Sequence, residues 1–106
     1  MVITLPNILL TKSTGKVLCQ LYKEYLSRIK NNVPKSNALV FDTTSTVQLF
    51  VNQDIDFEIS ELKKNSLIET WITGELLLRS EAIVYMENRF KNGLIEVTDF
   101  IAKLKP

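Results

Sequence analysis

The sequence contains no histidine and only one cysteine, Cys19. Histidine is the side chain that most often serves as a general base near neutral pH, and it is a common zinc ligand. A single cysteine cannot form an internal disulfide, which is typical of proteins of the reducing cytoplasm. We therefore expect a cytoplasmic protein in which Cys19, inside an apolar helical stripe, is a buried small hydrophobic residue.

Glycine is equally scarce, with three residues that stand far apart at positions 15, 74 and 93. The sequence consequently has no phosphate-binding glycine loop and no dinucleotide fingerprint, and it has no nucleophile elbow. Together with the missing histidine, these absences predict that the chain is not an enzyme and uses no cofactor.

Long apolar runs and a charge excess are also missing. The apolar residues between Val2 and Leu10 are interrupted by Pro6 and Asn7 and lack a basic leader, so we expect no secretory signal. Nothing approaches the roughly 20 apolar residues of a membrane span, and no membrane association is expected. Lysine and arginine total 13 against 12 acidic residues, a net charge of +1, without the basic excess of a dedicated nucleic-acid binder. The length of 106 residues predicts a single domain.

The first half of the chain reads as an arm followed by helices. Residues 1–14 are predicted to form an extended N-terminal arm, with Ser13 or Thr14 capping a helix from about Lys16 to Lys30. Asn31 and Asn32 end that helix, because asparagine tolerates the left-handed conformation. Ser36 begins a predicted second helix of about two turns. The alternation over residues 46–52 predicts a strand or an irregular link.

The second half combines a helix, a hairpin and a helical C-terminus. Asn52 or Asp54 is expected to cap a third helix that ends near Asn65, with Leu62 on its buried face. Two β-rich segments around Gly74 predict a hairpin with a tight turn, and Ser80 is expected to cap the next helix. This order predicts an α+β fold, a winged helix-turn-helix-like domain with a C-terminal helical extension.

The chain also resembles a known group of proteins. The segments "LYKEYLSRIKNN", "PKSNALVF" and "ELKKNSLI", followed by a hairpin and "LRSEAIVYMEN", resemble small winged-helix proteins of Gram-positive phages and mobile elements over about residues 16–90. The resemblance implies a regulatory role or binding of a partner. Two departures are that Asn65-Ser66 replaces the usual glycine before the wing and that the third helix is acidic.

The third helix supplies the first candidate site. Asp54, Asp56, Glu58 and Glu61 outnumber Lys63 and Lys64 there, and Phe57 falls opposite the apolar face. An aromatic residue exposed there suits a protein interface, and the alternative is that the second helix or its link covers Phe57. We predict a non-catalytic protein-binding module that uses the side chains of Phe57, Glu61 and Lys64. The three carboxylates of Asp54, Glu58 and Glu61 are the only candidate ligands for a divalent cation, and we favour a solvated face over a metal site.

DNA binding is the alternative function for the same fold. In that case Lys63 and Lys64 contact phosphates, with Lys35 and Arg79 as accessory cations, since neutralised phosphates supply much of the affinity of such complexes. The four carboxylates on the same helix oppose this approach.

The C-terminal helices supply the second candidate site. A seam of apolar residues at steps of three or four runs from Ile83 to Leu104. Its second half, after Gly93, is predicted to be left without intramolecular cover and to form a homodimer through residues 92–106. The side chains expected in that contact are Leu94, Val97, Ile101 and Leu104. The rival prediction folds this last helix back onto the first helix of its own chain.

Overall fold

The computed structural model describes residues 10–104, and of Leu104 only the backbone. The predicted N-terminal arm therefore lies outside the described residues up to position 9. The remainder of the predicted arm belongs to helix α1 (Lys12–Lys30). The prediction of Ser13 or Thr14 as its cap is wrong, because the Oγ1 of Thr11 accepts from the N–H of Thr14 and caps the helix. Asn31 and Asn32 end α1 as predicted, with Asn32 at φ +65°.

The next elements are shorter and more helical than predicted. Helix α2 (Lys35–Ala38) has a single turn and leads into strand β1 (Val40–Phe41), whose Phe41 is fully buried. The predicted strand or link over residues 46–52 is wrong for most of its length, since helix α3 (Thr43–Leu49) occupies it. The Oδ1 of Asp42 accepts from the N–H of Ser45 at 2.7 Å, and this cap starts a helix where alternating residues imitated a strand.

Helix α4 and the hairpin follow the predicted order. Helix α4 (Asp56–Lys64) begins after Ile55, whose side chain makes no capping hydrogen bond. Strands β2 (Ile68–Thr70) and β3 (Leu76–Leu78) pair antiparallel, and β1 pairs antiparallel with β3, giving the sheet order β1-β3-β2. The hairpin turns at Gly74, whose φ of +91° explains the glycine.

Two helices complete the chain. Helix α5 (Ser80–Arg89) has Arg79 at its N-cap, so the predicted cap by Ser80 is wrong by one residue and no side chain caps it. Gly93, at φ +64°, separates α5 from helix α6 (Leu94–Leu104). Helix α6 packs along α1. No helix in residues 10–104 is long and apolar enough to cross a bilayer.

The core lies between α1, the sheet and helices α4 to α6. Leu62 is buried there as predicted, together with Leu21, Ile83 and Met86. Leu26 and Ile59 pack against this core and are only partly buried. Cys19 is fully buried, and desolvation raises the pKa of its thiol to about 11, so it is the buried hydrophobic residue that was expected. The result is an α+β fold with a small three-stranded antiparallel sheet, which is compatible with a winged-helix-like arrangement.

Candidate interaction surface

Helix α4 separates a buried side from an outward side. Leu62 is fully buried, while Phe57 lies opposite it with 59% of its surface exposed, because the five-residue spacing turns about 500° around the helix. The outward side carries five exposed residues, Asp56, Phe57, Ser60, Lys63 and Lys64. We call these five residues, together with the exposed residues 71–74 at the tip of the β2–β3 hairpin, the α4–hairpin face.

Two of the three carboxylates of α4, Glu58 and Glu61, do not belong to this face. Oε1 of Glu61 accepts from the backbone N–H of Thr11 at 2.8 Å and from its Oγ1 at 3.2 Å. The bond from the Thr11 N–H is the main reason why the pKa of Glu61 is lowered. Glu61 thereby links α4 to the start of α1. The sequence predicted that this carboxylate contacts another protein, but in the structure it is hydrogen-bonded within its own chain.

Glu58 also turns towards α1. It is half-buried and lines a cavity of about 180 Å³ together with Ser13, Lys16 and Gln20 of that helix. Glu58 and Glu61 therefore do not share the exposed side of α4 with Asp56. The exposed side of α4 has one carboxylate, Asp56, at its start and two ammonium groups at its end, a distribution that complements the helix dipole.

The candidate phosphate-binding cations differ in whether they already form salt bridges within the chain. Lys63, Lys64 and Lys35 are exposed. Arg79 instead bridges two carboxylates, with Nη1 at 2.9 Å from Glu69 and Nη2 at 2.8 Å from Glu81. Hydrogen bonding from Arg79 is the main cause that lowers the pKa of Glu81 from 4.5 to about 2. Arg79 thus ties the hairpin to the start of α5, and its charge is already balanced.

The hairpin tip presents large apolar side chains to solvent. Trp71 is 47% exposed and Ile72 is fully exposed. A tryptophan in a short hairpin commonly packs against its own domain, but Trp71 leaves nearly half of its surface open to solvent. It is held at the turn, where its N–H donates to the carbonyl of Glu75 and its carbonyl accepts from the N–H of Gly74.

The C-terminal helix contradicts the argument for a dimer seam. Val97 is fully buried, Ile101 is 7% exposed and Leu94 is half-buried within the chain, since α6 packs along α1. The expectation that this half of the stripe lacks intramolecular cover is wrong, and the rival prediction describes the fold. The side chain of Leu104 lies outside the described residues.

Sequence reasoning missed several features of the surface. Val47 on α3 and Val51 just after it are exposed, although their alternation with polar residues had indicated a half-buried strand. The signal that identifies α3 is Asp42, because aspartate is a preferred N-cap residue whose carboxylate accepts from a backbone N–H of the first helical turn. Arg28 was also missed: its guanidinium lies 4.4 Å from the ring centre of Phe41 and donates to the carbonyl of Val40 at 2.7 Å.

The α4–hairpin face is a contact surface of exposed aromatic, aliphatic and basic side chains. Across residues 10–104, no three acidic or cysteine side chains lie close enough together to hold a metal ion. Comparisons with protein-family models, with curated proteins and with solved structures found no match to this chain.

Proposed function

We propose that the chain is a non-catalytic winged-helix-like module that binds another protein through its α4–hairpin face. The observation that carries the proposal is Phe57, a large aromatic side chain 59% exposed on the outward side of α4. Trp71 and Ile72 extend the apolar exposure to the hairpin tip. Aromatic side chains are enriched among the residues that dominate binding energy at protein interfaces, which supports a protein as the partner.

The proposal includes a regulatory role, and it contains no catalytic step. The order of helices and strands is compatible with the winged-helix-like arrangement that the resemblance to small phage and mobile-element proteins implies. Self-association through α6 is not carried forward, because Val97 and Ile101 are buried inside the chain and no longer supply an uncovered apolar stripe.

DNA binding is the second candidate, and one observation favours it. Glu58 and Glu61 turn towards α1, so Lys63 and Lys64 reach solvent with less opposing charge than the sequence implies. Lys35 is a further exposed cation, while Arg79 is held by Glu69 and Glu81. A few such lysines support only weak, salt-sensitive contact with phosphates, which ranks this candidate below protein binding.

Site-specific photo-crosslinking tests the proposal. A benzophenone amino acid replaces Phe57 or Ile72 in the full chain, and Val84, an exposed residue of α5, is the matched control position. We expect one discrete protein adduct from positions 57 and 72 and none from position 84. Excess wild-type chain should suppress the adduct, whereas excess Phe57→Ala chain should not. Adducts of equal yield from all three positions would contradict a defined interface.

Fluorescence anisotropy with duplex DNA tests the second candidate. We expect weak binding that disappears between about 50 and 200 mM salt. Sub-micromolar, sequence-selective binding at physiological salt would replace the protein-binding proposal if the double variant Lys63→Ala, Lys64→Ala abolished it. Lys30→Ala, at an exposed lysine that ends α1, is the control and should bind like the wild type.

A further inference from the structure

Strand β2 has a free edge within the described part of the chain. In the sheet order β1-β3-β2, strand β3 is paired on both sides and β2 on one. The N–H of Arg79 donates to the carbonyl of Leu67 at 2.9 Å, and the N–H of Trp71 donates to the carbonyl of Glu75 at 3.0 Å. Since backbone groups alternate in direction along an antiparallel ladder, the N–H and C=O groups of Ile68 and Thr70 point away from β3.

An open groove of about 450 Å³ runs along this edge. Ile68 and Thr70 line it, Lys63 stands at the end formed by α4, and Trp71 stands at the hairpin end. No residue from 10 to 104 hydrogen-bonds to the outward backbone groups of Ile68 and Thr70. The groove therefore combines two donors and two acceptors at β-strand spacing with distinct side chains at its two ends.

The charge at the centre of β2 selects among the strands that could pair there. The side chain of Glu69 is 51% exposed and accepts from Nη1 of Arg79. Arg79 shares its single positive charge between Glu69 and Glu81, so these three side chains together keep a net negative charge at the groove. A second copy of β2 paired about its own centre would place Glu69 opposite Glu69, and like charges directly opposite each other destabilise a pair. A charged residue on a short edge strand commonly prevents such self-pairing. A lysine or arginine opposite Glu69 would instead form a favourable cross-strand pair.

We propose that the β2 edge binds an extended peptide of the protein partner as a fourth, antiparallel strand. The peptide carries a basic residue opposite Glu69. An apolar residue two positions earlier reaches Trp71, and an acidic residue two positions later lies near Lys63. The pattern apolar-x-basic-x-acidic follows from the antiparallel direction, because the peptide passes Trp71 first and the α4 end last. Main-chain hydrogen bonds to Ile68 and Thr70 provide affinity, and the alternate side chains provide specificity.

This inference deepens the proposed function and rests on it, since it states the kind of partner segment that the hairpin part of the α4–hairpin face would take. The peptide contacts the edge of β2 and not Phe57. The two ideas can consequently fail separately.

The test uses the full chain and an acetylated, amidated heptapeptide, Ser-Leu-Thr-Lys-Thr-Glu-Ser, as the probe. Trp71 is the only tryptophan in the sequence, so its fluorescence reports on the groove directly. We expect the peptide to shift the Trp71 emission and to slow hydrogen exchange at the amides of Ile68 and Thr70. A peptide with proline in place of both threonines should have no effect, because proline lacks the N–H that pairs with the edge.

Charge exchange tests the register. Replacing the peptide lysine with glutamate should weaken binding by on the order of ten-fold. Glu69→Lys should reverse the preference between the two peptides. Glu75→Lys, which leaves Glu69 in place on the same hairpin, should keep it.

Two outcomes would overturn the inference. One is the absence of protection at Ile68 and Thr70 at millimolar peptide. The other is an edge whose Ile68 and Thr70 amides are already protected in the free chain, which would mean that the chain itself covers it. Phe57→Ala should bind the peptide normally. If position 57 crosslinks a partner while the peptide does not bind, the edge inference fails alone. If the peptide binds and position 57 gives no adduct, the proposed role of α4 fails alone.

Discussion

Leu62 and Phe57 show at the scale of single residues how α4 divides between stability and contact. Leu62 is fully buried and Phe57 largely exposed. Leu62→Ala should lower the free energy of unfolding by about 2–5 kcal/mol, because it removes buried methyl groups and leaves a cavity. Phe57→Ala should change it by no more than about 0.5 kcal/mol. Urea denaturation measures both, and equal losses would show that Phe57 is part of the core.

The Arg79–Glu81 pair predicts a dependence of stability on acid. Because Arg79 holds the pKa of Glu81 at about 2 in the folded chain, below the ordinary 4.5, the contribution of the pair is complete above pH 4.5 and is lost as the pH falls towards 2. Glu81→Gln should therefore reduce the decline in the urea midpoint over this range. Glu87→Gln, an exposed glutamate of the same helix, is the matched control. An unchanged slope in Glu81→Gln would show that the pair does not form in solution.

Two glycines in different elements should respond in opposite directions to the same substitution. Gly74 turns the hairpin at φ +91°, and an added Cβ would lie 2.9 Å from Oγ1 of Thr43, so Gly74→Ala should destabilise the chain. Gly15 lies in α1 with nothing within 4 Å of an added Cβ. Gly15→Ala should stabilise the chain by roughly 0.5–1 kcal/mol, since glycine is costly within a helix. Thermal unfolding of both variants checks the pair, and a higher melting temperature for Gly74→Ala would contradict the turn geometry.

The stability of the chain should depend on the packing of α6 on α1. Val97 is fully buried and its neighbour Ile95 is 75% exposed. Val97→Asp places an unpaired carboxylate in the core and should lower the melting temperature strongly or prevent folding. Ile95→Asp should be close to neutral. If the two aspartate variants melted together near the wild-type temperature, α6 would not be docked on α1.

At the scale of the whole molecule, burial of the apolar stripe of α6 changes the expected oligomeric state from a homodimer to a monomer. The apolar residues that predicted a homodimer are largely covered by the chain's own α1. Sedimentation equilibrium at micromolar concentration should therefore return the mass of a single 12.2 kDa chain. A dimer that persists in Ile95→Asp would place self-association elsewhere, and a dimer lost in that variant would locate it on the outer side of α6.

Local sequence pattern was sufficient for the elements whose signals are short-range. The periodicity around Leu21, the asparagines after α1 and the glycine of the hairpin turn each depend on backbone preferences within a few residues, and all appear in the fold. The alternation at residues 46–52 failed, because the cap formed by Asp42 favours a helix there. The inward phase of Leu62 and the outward phase of Phe57 followed from helix geometry alone.

Long-range packing decided the rest. Glu61 points to α1 because its carboxylate accepts from the backbone N–H of Thr11, which is 50 residues away in the sequence. No local pattern reveals that approach. The apolar stripe of α6 could equally well pack against a second copy of the chain or against α1. The direction that the backbone takes at Gly93 decides between them, and it places α6 on α1. Which side chains remain available to a partner therefore depends on how the helices dock, since burial is a property of the assembled chain and not of any single segment.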